Sequence, residues 1–298
     1  MGEGDRAGNG TIDRLGGASS LASVLDDIFG PEPRGTPHPA AFDWTGILDP
    51  SIPTRQMRAS RAVARAPILR KLERRIQQDL RSEARLRRFD TGAVLAAETE
   101  PRAQPPVRDG DLVYVVVSGW CKAVRSDPDG RVIAVDVRGP GEIAGLERLA
   151  MAWGPTTAGP QARFPAWLAL GPVEAVPFPS RLLRRAIEAS PGANAEAHLV
   201  LGERIEEIEM AALFALRSVG ERLLRELHGL AHRYGARRGA HWTVEVPLAQ
   251  GDMAALVGAT RETANRALRS LAAAGEILLE RGRPVLVRCP DGPSTDAT

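Results

Sequence analysis

The sequence has little of several features that define whole classes of protein. It contains only two cysteines, Cys121 and Cys289, in 298 residues, too few for a disulfide framework or a four-thiolate iron–sulfur cluster. No stretch approaches 18 uninterrupted apolar residues, so we expect no membrane span. The first residues lack the basic start and apolar run of a signal peptide. We therefore expect a cytoplasmic protein that holds no cofactor.

Residues arranged for enzyme chemistry are equally scarce. We find no paired carboxylates, nucleophile elbow, phosphate-binding loop or metal cluster in the sequence. His228 and His232 lie four residues apart in a helical segment and could bind a metal, but a helical pair without metal is the simpler interpretation. The sequence does not predict an enzyme. Aromatic residues make up only 4% of the chain, against 43% apolar residues of all kinds, so we expect aliphatic cores.

The amino-terminal fifth of the chain has an unusual composition. Residues 1–60 contain nine glycines and six prolines with weak apolar periodicity, which predicts a disordered extension. Two apolar islands, Ser20–Phe29 and Phe42–Leu48, interrupt it. They are either short motifs that dock on a partner or on the protein itself, or incidental apolar residues of a tail.

A strongly basic segment follows. Residues 55–88 carry twelve Arg or Lys against three Asp or Glu, a charge that suits contact with phosphate or with an acidic surface of RNA polymerase or another protein. The alternative is an ordinary solvated face. An apolar stripe at helical spacing predicts that the segment packs as a helix. The stripe consists of Ile68, Leu69, Leu72, Ile76 and Leu80.

Short apolar or alternating runs between turn residues predict a small antiparallel β-barrel within residues 61–192. Asp127–Gly130 is a predicted hairpin turn, and Ser180–Ser190 predicts a helix that closes the domain. The predicted strands are Ala93–Ala96, Leu112–Val117, Gly119–Arg125, Arg131–Val137 and Trp167–Leu170.

A long helix is predicted over residues 193–217. Apolar residues recur there at alternating three- and four-residue steps among charged neighbours, which is typical of a coiled-coil seam. Such a seam would pair two copies of the chain as a homodimer, and the alternative is a helix that packs only on its own barrel. The seam residues are Leu201, Ile205, Ile208, Ala212 and Leu216.

The most informative stretch is Leu248–Leu268. It predicts two short helices joined by a turn at Gly258, the layout of a helix-turn-helix DNA reader. Thr260 is placed to cap the second helix with its hydroxyl. The polar face of that helix carries Arg261, Glu262, Asn265, Arg266 and Arg269.

Two short strands turning at Arg281–Gly282 follow, which predicts a wing. The helices and the wing together indicate a winged helix-turn-helix domain over residues 218–290, with a disordered tail at 291–298. Arginine can bond guanine bidentately and glutamate can accept from the cytosine amino group, so the front of the second helix suits base reading. Basic residues outside it would contact phosphate: Arg269, Arg281 and Arg283.

These motifs resemble those of the Crp/Fnr family of bacterial transcription factors. One departure is Ala249, where the family usually has a Thr or Ser cap. In the carboxy-terminal domain the resemblance rests on Asp252–Ala254, Gly258, Thr260–Thr263, Arg266, Leu268, Leu271 and Gly275–Ile277. In the barrel it rests on more generic landmarks: Thr91–Val94, Tyr114–Gly119, Asp129–Gly130 and Gly139–Gly145.

The resemblance implies an α+β protein with an N-terminal antiparallel β-barrel of the cyclic-nucleotide-binding type, a long dimerisation helix and a C-terminal winged helix-turn-helix. It also implies that Arg261, Glu262 and Arg266 read the bases of double-stranded DNA. Thr260 and Thr263 would hold its phosphates.

The effector pocket departs from the pattern of family members that bind cyclic AMP. Those members hold the ribose with a glutamate and the cyclic phosphate with an arginine, whereas this chain has Leu146 and Thr156 at the two positions, with Glu147 one residue late. A buried phosphate without a paired cation is costly. The corresponding pocket of Gly145, Leu146, Glu147, Thr156 and Thr157 is therefore predicted not to bind cyclic AMP in the ordinary way.

We therefore expect a homodimeric, sequence-specific transcription regulator that binds a near-palindromic operator and is not controlled by cyclic AMP. Two alternatives stay open. One is a regulator gated by another nucleotide such as a cyclic dinucleotide, and the other is an adaptor or co-activator that recruits polymerase.

Overall fold

The computed structural model describes residues 53–96, 112–126, 132–150 and 165–289. The two apolar islands, the predicted hairpin turn at 127–130 and the predicted tail lie outside these ranges. Within them, no helix is both long enough and apolar enough to cross a membrane.

Helices cover one side of the N-terminal domain. Helix α1 spans Pro53–Arg65, a 3₁₀ helix spans Leu69–Lys71, and α2 spans Arg74–Glu83. The whole predicted stripe is buried, so the segment packs inward, although in three pieces rather than as one helix. Several basic side chains remain exposed: Arg61, Arg65, Arg70, Lys71 and Arg74.

Helix α1 corrects the predicted limit of the extension at residue 60, because residues 53–60 are helical. Small side chains supply its buried face: Ala59, Ala62 and Val63, like Ala66 directly after the helix, are each at most 8% exposed. Alanine favours helix strongly, but its small side chain gives only a weak apolar signal in the sequence. The alanines of α1 alternate with arginines, so the sequence did not show a clear apolar stripe there.

Eight short strands among the described residues build the rest of this domain. They are β1 Arg87–Phe89, β2 Val94–Ala96, β3 Leu112–Ser118, β4 Cys121–Ser126, β5 Val132–Arg138, β6 Ile143–Ala144, β7 Ala166–Ala169 and β8 Val173–Pro179. They form two antiparallel sheets, in the orders β1-β8-β3-β6 and β2-β7-β4-β5. The expected closed barrel is wrong in this respect, because among the described strands each sheet keeps two edges and the two pack face to face.

Strand β8 was not predicted, although it lies inside its sheet between β1 and β3. It contains Pro177 and Pro179, and proline is rare inside sheets because it lacks a donor. Pro177 nevertheless lies opposite Tyr114 of β3. The very short β1 and β6 were also missed.

Strand β3 separates two cores by the ordinary alternation of a strand. Val113 and Val115 pack against the helices, whereas Tyr114 and Val116 face the opposite sheet. Cys121 lies in the second core with no exposed surface, and burial raises the pKa of its thiol. It is a core residue.

Three helices follow or interrupt the sheets: α3 Glu147–Ala150, α4 Ser180–Glu188 and α5 Pro191–Phe214. Helix α5 is the predicted long helix. Its first turns are anchored by the buried Ala193 and Ala197. Of the predicted seam, Ile205, Ile208 and Ala212 are exposed, whereas Leu201 is half-buried and packs on the protein's own core. The predicted end of the helix at residue 217 is wrong, because α5 ends at Phe214 and the exposed Leu216 lies in the turn that follows.

The C-terminal domain begins with α6 Val219–Tyr234. Ser218 caps it as predicted, accepting from the Glu221 amide at 3.2 Å, and the Glu221 carboxylate accepts from the Ser218 amide at 2.9 Å. The remaining elements are β9 Arg237–Arg238, β10 His241–Thr243, α7 Gln250–Leu256, α8 Arg261–Ala273, β11 Ile277–Glu280 and β12 Arg283–Arg288. The strands form one sheet in the order β11-β12-β10-β9.

Candidate nucleic-acid interface

The turn between α7 and α8 has the local geometry that its sequence predicts. Gly258 takes a left-handed conformation with φ of +59°, which ends α7 at low steric cost. The Thr260 hydroxyl accepts from the Thr263 amide at 3.2 Å and caps α8. The Thr263 hydroxyl lies 2.9 Å from the Thr260 hydroxyl, so the two residues expected to hold phosphate sit side by side.

Helix α7 begins at Gln250, and the residue before it, Ala249, has no side-chain acceptor to offer the first amides of the helix. Asp252 supplies the other half of a capping box, because its carboxylate accepts from the Ala249 amide at 2.8 Å. The departure from the family pattern is thus partly compensated.

Helix α8 divides cleanly into a buried and an exposed face. Ala264 and Leu268 are buried against α6 and α7. The opposite face carries the residues predicted to contact DNA, and these are exposed: Arg261, Glu262, Arg266 and Arg269.

Gln250 of α7, which the sequence analysis did not identify, links two residues on the polar face of α8. Its side-chain carbonyl accepts from Asn265 at 3.0 Å and from Arg261 at 3.5 Å. Its amide nitrogen lies 3.1 Å from where a Cβ on Gly282 would be, so the tip of the wing approaches α7 here. No sequence pattern links these residues, since the pairings depend on how the helices cross.

The wing places further cations beside α8. Its tip is a tight turn in which both Arg281 and Gly282 have positive φ, +50° and +76°, as a two-residue hairpin of this type requires. The Arg281 and Arg283 side chains are exposed. Among the described residues, no carboxylate forms an ion pair with the five arginines of this surface: Arg261, Arg266, Arg269, Arg281 and Arg283.

The predicted effector pocket is only partly within the described residues, because Thr156 and Thr157 lie outside them. Gly145 has φ of +89°, and Leu146 is buried. The Glu147 carboxylate accepts a hydrogen bond from Trp167 Nε1 at 3.0 Å. Leu146 and Glu147 line a cavity of about 670 Å³ between the β4–β5 hairpin, α5 and the C-terminal domain.

The two helical histidines have other partners than a metal. His228 Nε2 lies 2.7 Å from the Arg288 carbonyl, and the His232 ring packs on Trp242 with centroids 5.7 Å apart. In the described part of the chain, no group of His, Cys, Asp and Glu side chains could hold a metal ion.

Comparison with known proteins agrees with this geometry. The model of the Crp-like helix-turn-helix domain matches residues 221–292. The CRP-like cAMP-activated global transcriptional regulator of Mycobacterium tuberculosis is 32% identical over 200 residues, which cover 67% of this chain and 82% of that protein.

Solved structures share the fold. FixK2 from Bradyrhizobium japonicum has a TM-score of 0.54 at 20% identity, covering 69% of this chain and 93% of FixK2. The c-di-GMP-responsive global regulator CLP of Xanthomonas campestris has a TM-score of 0.51 at 20% identity, covering 70% of this chain and 96% of CLP. These relatives are regulators rather than enzymes, and the chain belongs to the Crp/Fnr family of DNA-binding transcription regulators.

Proposed function

We propose that this protein acts as a homodimer that binds a near-palindromic operator in a sequence-specific manner. The observation that carries the proposal is the exposed face of α8, where Arg261, Glu262 and Arg266 project from a helix whose other side is buried. Arginine and glutamate at these positions can bond guanine and cytosine edges in the major groove.

Contacts to the DNA backbone would set affinity and register. Arg269, Arg281 and Arg283 flank the base-reading residues and are exposed. Because no described carboxylate pairs with them, their charge is available to phosphate, and binding should weaken as salt rises. The capping threonines Thr260 and Thr263 would add phosphate contacts at the start of α8.

Helix α5 supplies the surface for dimer formation. Large apolar side chains are exposed along most of its length: Leu199, Ile205, Ile208, Met210 and Leu213 are 44–67% exposed. Exposed apolar stripes on one helix favour pairing with a twin helix. A two-fold dimer would present two α8 helices to successive major grooves, so the half-sites should lie about one helical turn apart.

We further propose that cyclic AMP does not control DNA binding. Leu146 stands where family members have the glutamate that holds the ribose, and its buried side chain has no acceptor to offer. The neighbouring Glu147 carboxylate already accepts a hydrogen bond from Trp167. The mycobacterial relative is cAMP-activated by name, and the 670 Å³ cavity is large enough for a nucleotide. A regulator gated by a nucleotide, such as a cyclic dinucleotide, is therefore the second candidate.

A protein partner such as RNA polymerase would contact the basic helices rather than α8. The exposed cations Arg61, Arg65 and Arg70 form no ion pair with the described carboxylates, which suits an acidic partner surface. An adaptor that does not bind DNA would not need the exposed base-reading face of α8.

Selection from a randomised duplex pool tests these proposals. The full-length protein is incubated with the pool without added nucleotide, and the bound fraction is sequenced. We expect a palindromic consensus. Enrichment only when cyclic AMP or cyclic di-GMP is added would favour the second candidate, and no enrichment in any arm would favour the adaptor.

A further inference from the structure

The DNA-binding domain is attached to the sensor domain by more than the chain itself. The connection between α5 and α6 consists of residues 215–218, all of which are exposed. Such a short exposed turn would allow the domain to pivot. Two groups of side chains bridge the domains at a distance from this turn.

The first bridge is a salt bridge between Lys122 of β4 and Asp252 of α7. Both partners are largely removed from water, with side-chain exposures of 19% and 15%. Asp252 is also the residue that caps α7 through the Ala249 amide. Lys122 therefore contacts the first helix of the helix-turn-helix at the residue that fixes its start.

The second bridge centres on Glu142, between β5 and β6. Its carboxylate accepts from Arg233 at 2.9 Å and from Tyr234, the last two residues of α6, and from the Gly139 amide at 2.7 Å. Burial would raise the pKa of the Glu142 carboxyl, but Arg233 and Arg138 together with the Tyr234 hydroxyl lower it below its ordinary value. Glu142 is thus held as a carboxylate at neutral pH.

Apolar packing surrounds the second bridge. A Cβ on Gly139 would lie 2.9 Å from Trp120 Nε1 and 3.0 Å from Tyr234 Cε1, so these rings close tightly over the backbone of the sensor domain. Val137 of β5 belongs to the same buried cluster as Leu227 and Met253 of the C-terminal domain. The two domains share a core at this point.

We propose that Lys122 and Glu142 are positioning residues that fix the separation of the two recognition helices and so determine which half-site spacing the dimer accepts. The proposal rests on the proposed dimeric DNA binding. Each DNA-binding domain of the dimer is joined to α5 by the connection at residues 215–218 and to the sensor domain by the two bridges. The connection alone would allow the domain to rotate, and the bridges prevent that rotation. With the bridges broken, each α8 still reads its half-site, but the distance between the two α8 helices of the dimer is no longer fixed.

The test uses the full-length protein and the selected operator, in versions with the natural spacing, with one base pair inserted or deleted, and with a single half-site. Fluorescence anisotropy measures affinity for wild type, Lys122→Gln, Glu142→Gln and the conservative Lys122→Arg. Arg88→Gln is the matched control, because it breaks an ion pair with Glu174 that lies wholly within the sensor domain.

We expect wild type, Lys122→Arg and Arg88→Gln to discriminate against the altered spacings. In Lys122→Gln and Glu142→Gln the ratio of affinities between natural and altered spacing should fall about tenfold, the equivalent of one charge-assisted hydrogen bond. Their affinity for a single half-site should stay at the wild-type value, which a misfolded or merely weakened domain would not maintain.

Two outcomes separate this proposal from the one on which it rests. If wild type shows no spacing preference, dimeric operator binding itself is wrong and the positioning role falls with it. If wild type discriminates and both bridge variants discriminate equally well, the positioning role alone is overturned.

Discussion

Trp167 Nε1 donates a hydrogen bond to the Glu147 carboxylate at 3.0 Å, joining strand β7 to the short helix α3. Trp167 is 1% exposed, so breaking this bond would leave a buried indole donor without its partner. The Glu147 carboxylate of the predicted effector pocket is therefore already bonded to the protein's own fold.

The first prediction concerns cyclic AMP. Because Leu146 cannot accept a hydrogen bond from a ribose hydroxyl and Glu147 Oε1 already accepts from Trp167, we expect cyclic AMP to leave the operator affinity of the wild type unchanged. Anisotropy titrations with and without the nucleotide, together with calorimetry on the free protein, measure this. A clear increase in operator affinity on addition of cyclic AMP would contradict the proposal.

Base reading predicts a specific cost for two arginines. Arg261→Ala and Arg266→Ala should each weaken binding to the selected operator by roughly 1–3 kcal/mol and relax specificity at one position. Arg269→Ala should instead weaken all duplexes alike and reduce the salt dependence, because it would remove a phosphate contact. Arg217→Ala, exposed between α5 and α6, is the control, and equal losses in all four variants would argue against base reading.

Dimer formation through α5 predicts that a charge in the seam separates the protomers. Ile205 is 58% exposed and Ile208 55% exposed. Since two-fold symmetry removes each contact twice, Ile205→Glu or Ile208→Glu should raise the dimer dissociation constant at least about a hundredfold. Sedimentation velocity measures this, with Val94→Glu, 50% exposed on β2, as the control that should remain dimeric.

Helix α7 offers a test of the incomplete cap. Ala249→Ser adds an acceptor for the Asp252 amide and should raise the free energy of unfolding by about 1 kcal/mol. Thr260→Ala removes the existing cap of α8 and should lower it by a similar amount. Urea unfolding measures both. The same chemical change inside a helix, Ala195→Ser at an exposed position of α5, should give no gain, and a gain there equal to that at position 249 would refute the capping explanation.

Acid should weaken the Glu142 bridge. The pKa of this carboxyl lies below its ordinary value of 4.5, so its contribution to stability is fully present above that pH and is lost as pH falls through the folded-state pKa. Glu142→Gln should therefore be less stable than wild type at neutral pH, with the difference shrinking below about pH 4.5. Unfolding measured across this range checks the sign, and Glu280→Gln on the exposed wing should show no such convergence.

Local sequence signals predicted the DNA-binding elements well. Gly258 and Thr260 determine where α7 ends and α8 begins through backbone freedom and a hydroxyl acceptor, both of which act within a few residues. The apolar spacing of α5 likewise depends only on helical periodicity, and Ile205, Ile208 and Ala212 of its predicted seam are exposed.

Other features were beyond local signals. Strand β8 carries prolines that argue against a strand, yet its position between β1 and β3 determines its structure. Leu201 has the spacing of a seam residue but packs on the core of the sensor domain, because this part of α5 lies against that domain. Whether the strands form one closed barrel or two separate sheets depends on which edge strands pair with each other. That pairing joins distant segments and cannot be read from any one of them.

The sequence by itself determined the helices of the DNA-binding domain, their caps, the wing turn and the polar face of α8, because each depends on residues within a turn or two of one another. Only the tertiary structure decided that Gln250 accepts hydrogen bonds from Arg261 and Asn265 and that Trp167 donates one to Glu147. It also decided that Lys122 and Glu142 join the sensor domain to the DNA-binding domain. Lys122 and Asp252 are 130 residues apart. No local pattern in the sequence links two charges at that separation, so only the folded chain shows that they pair.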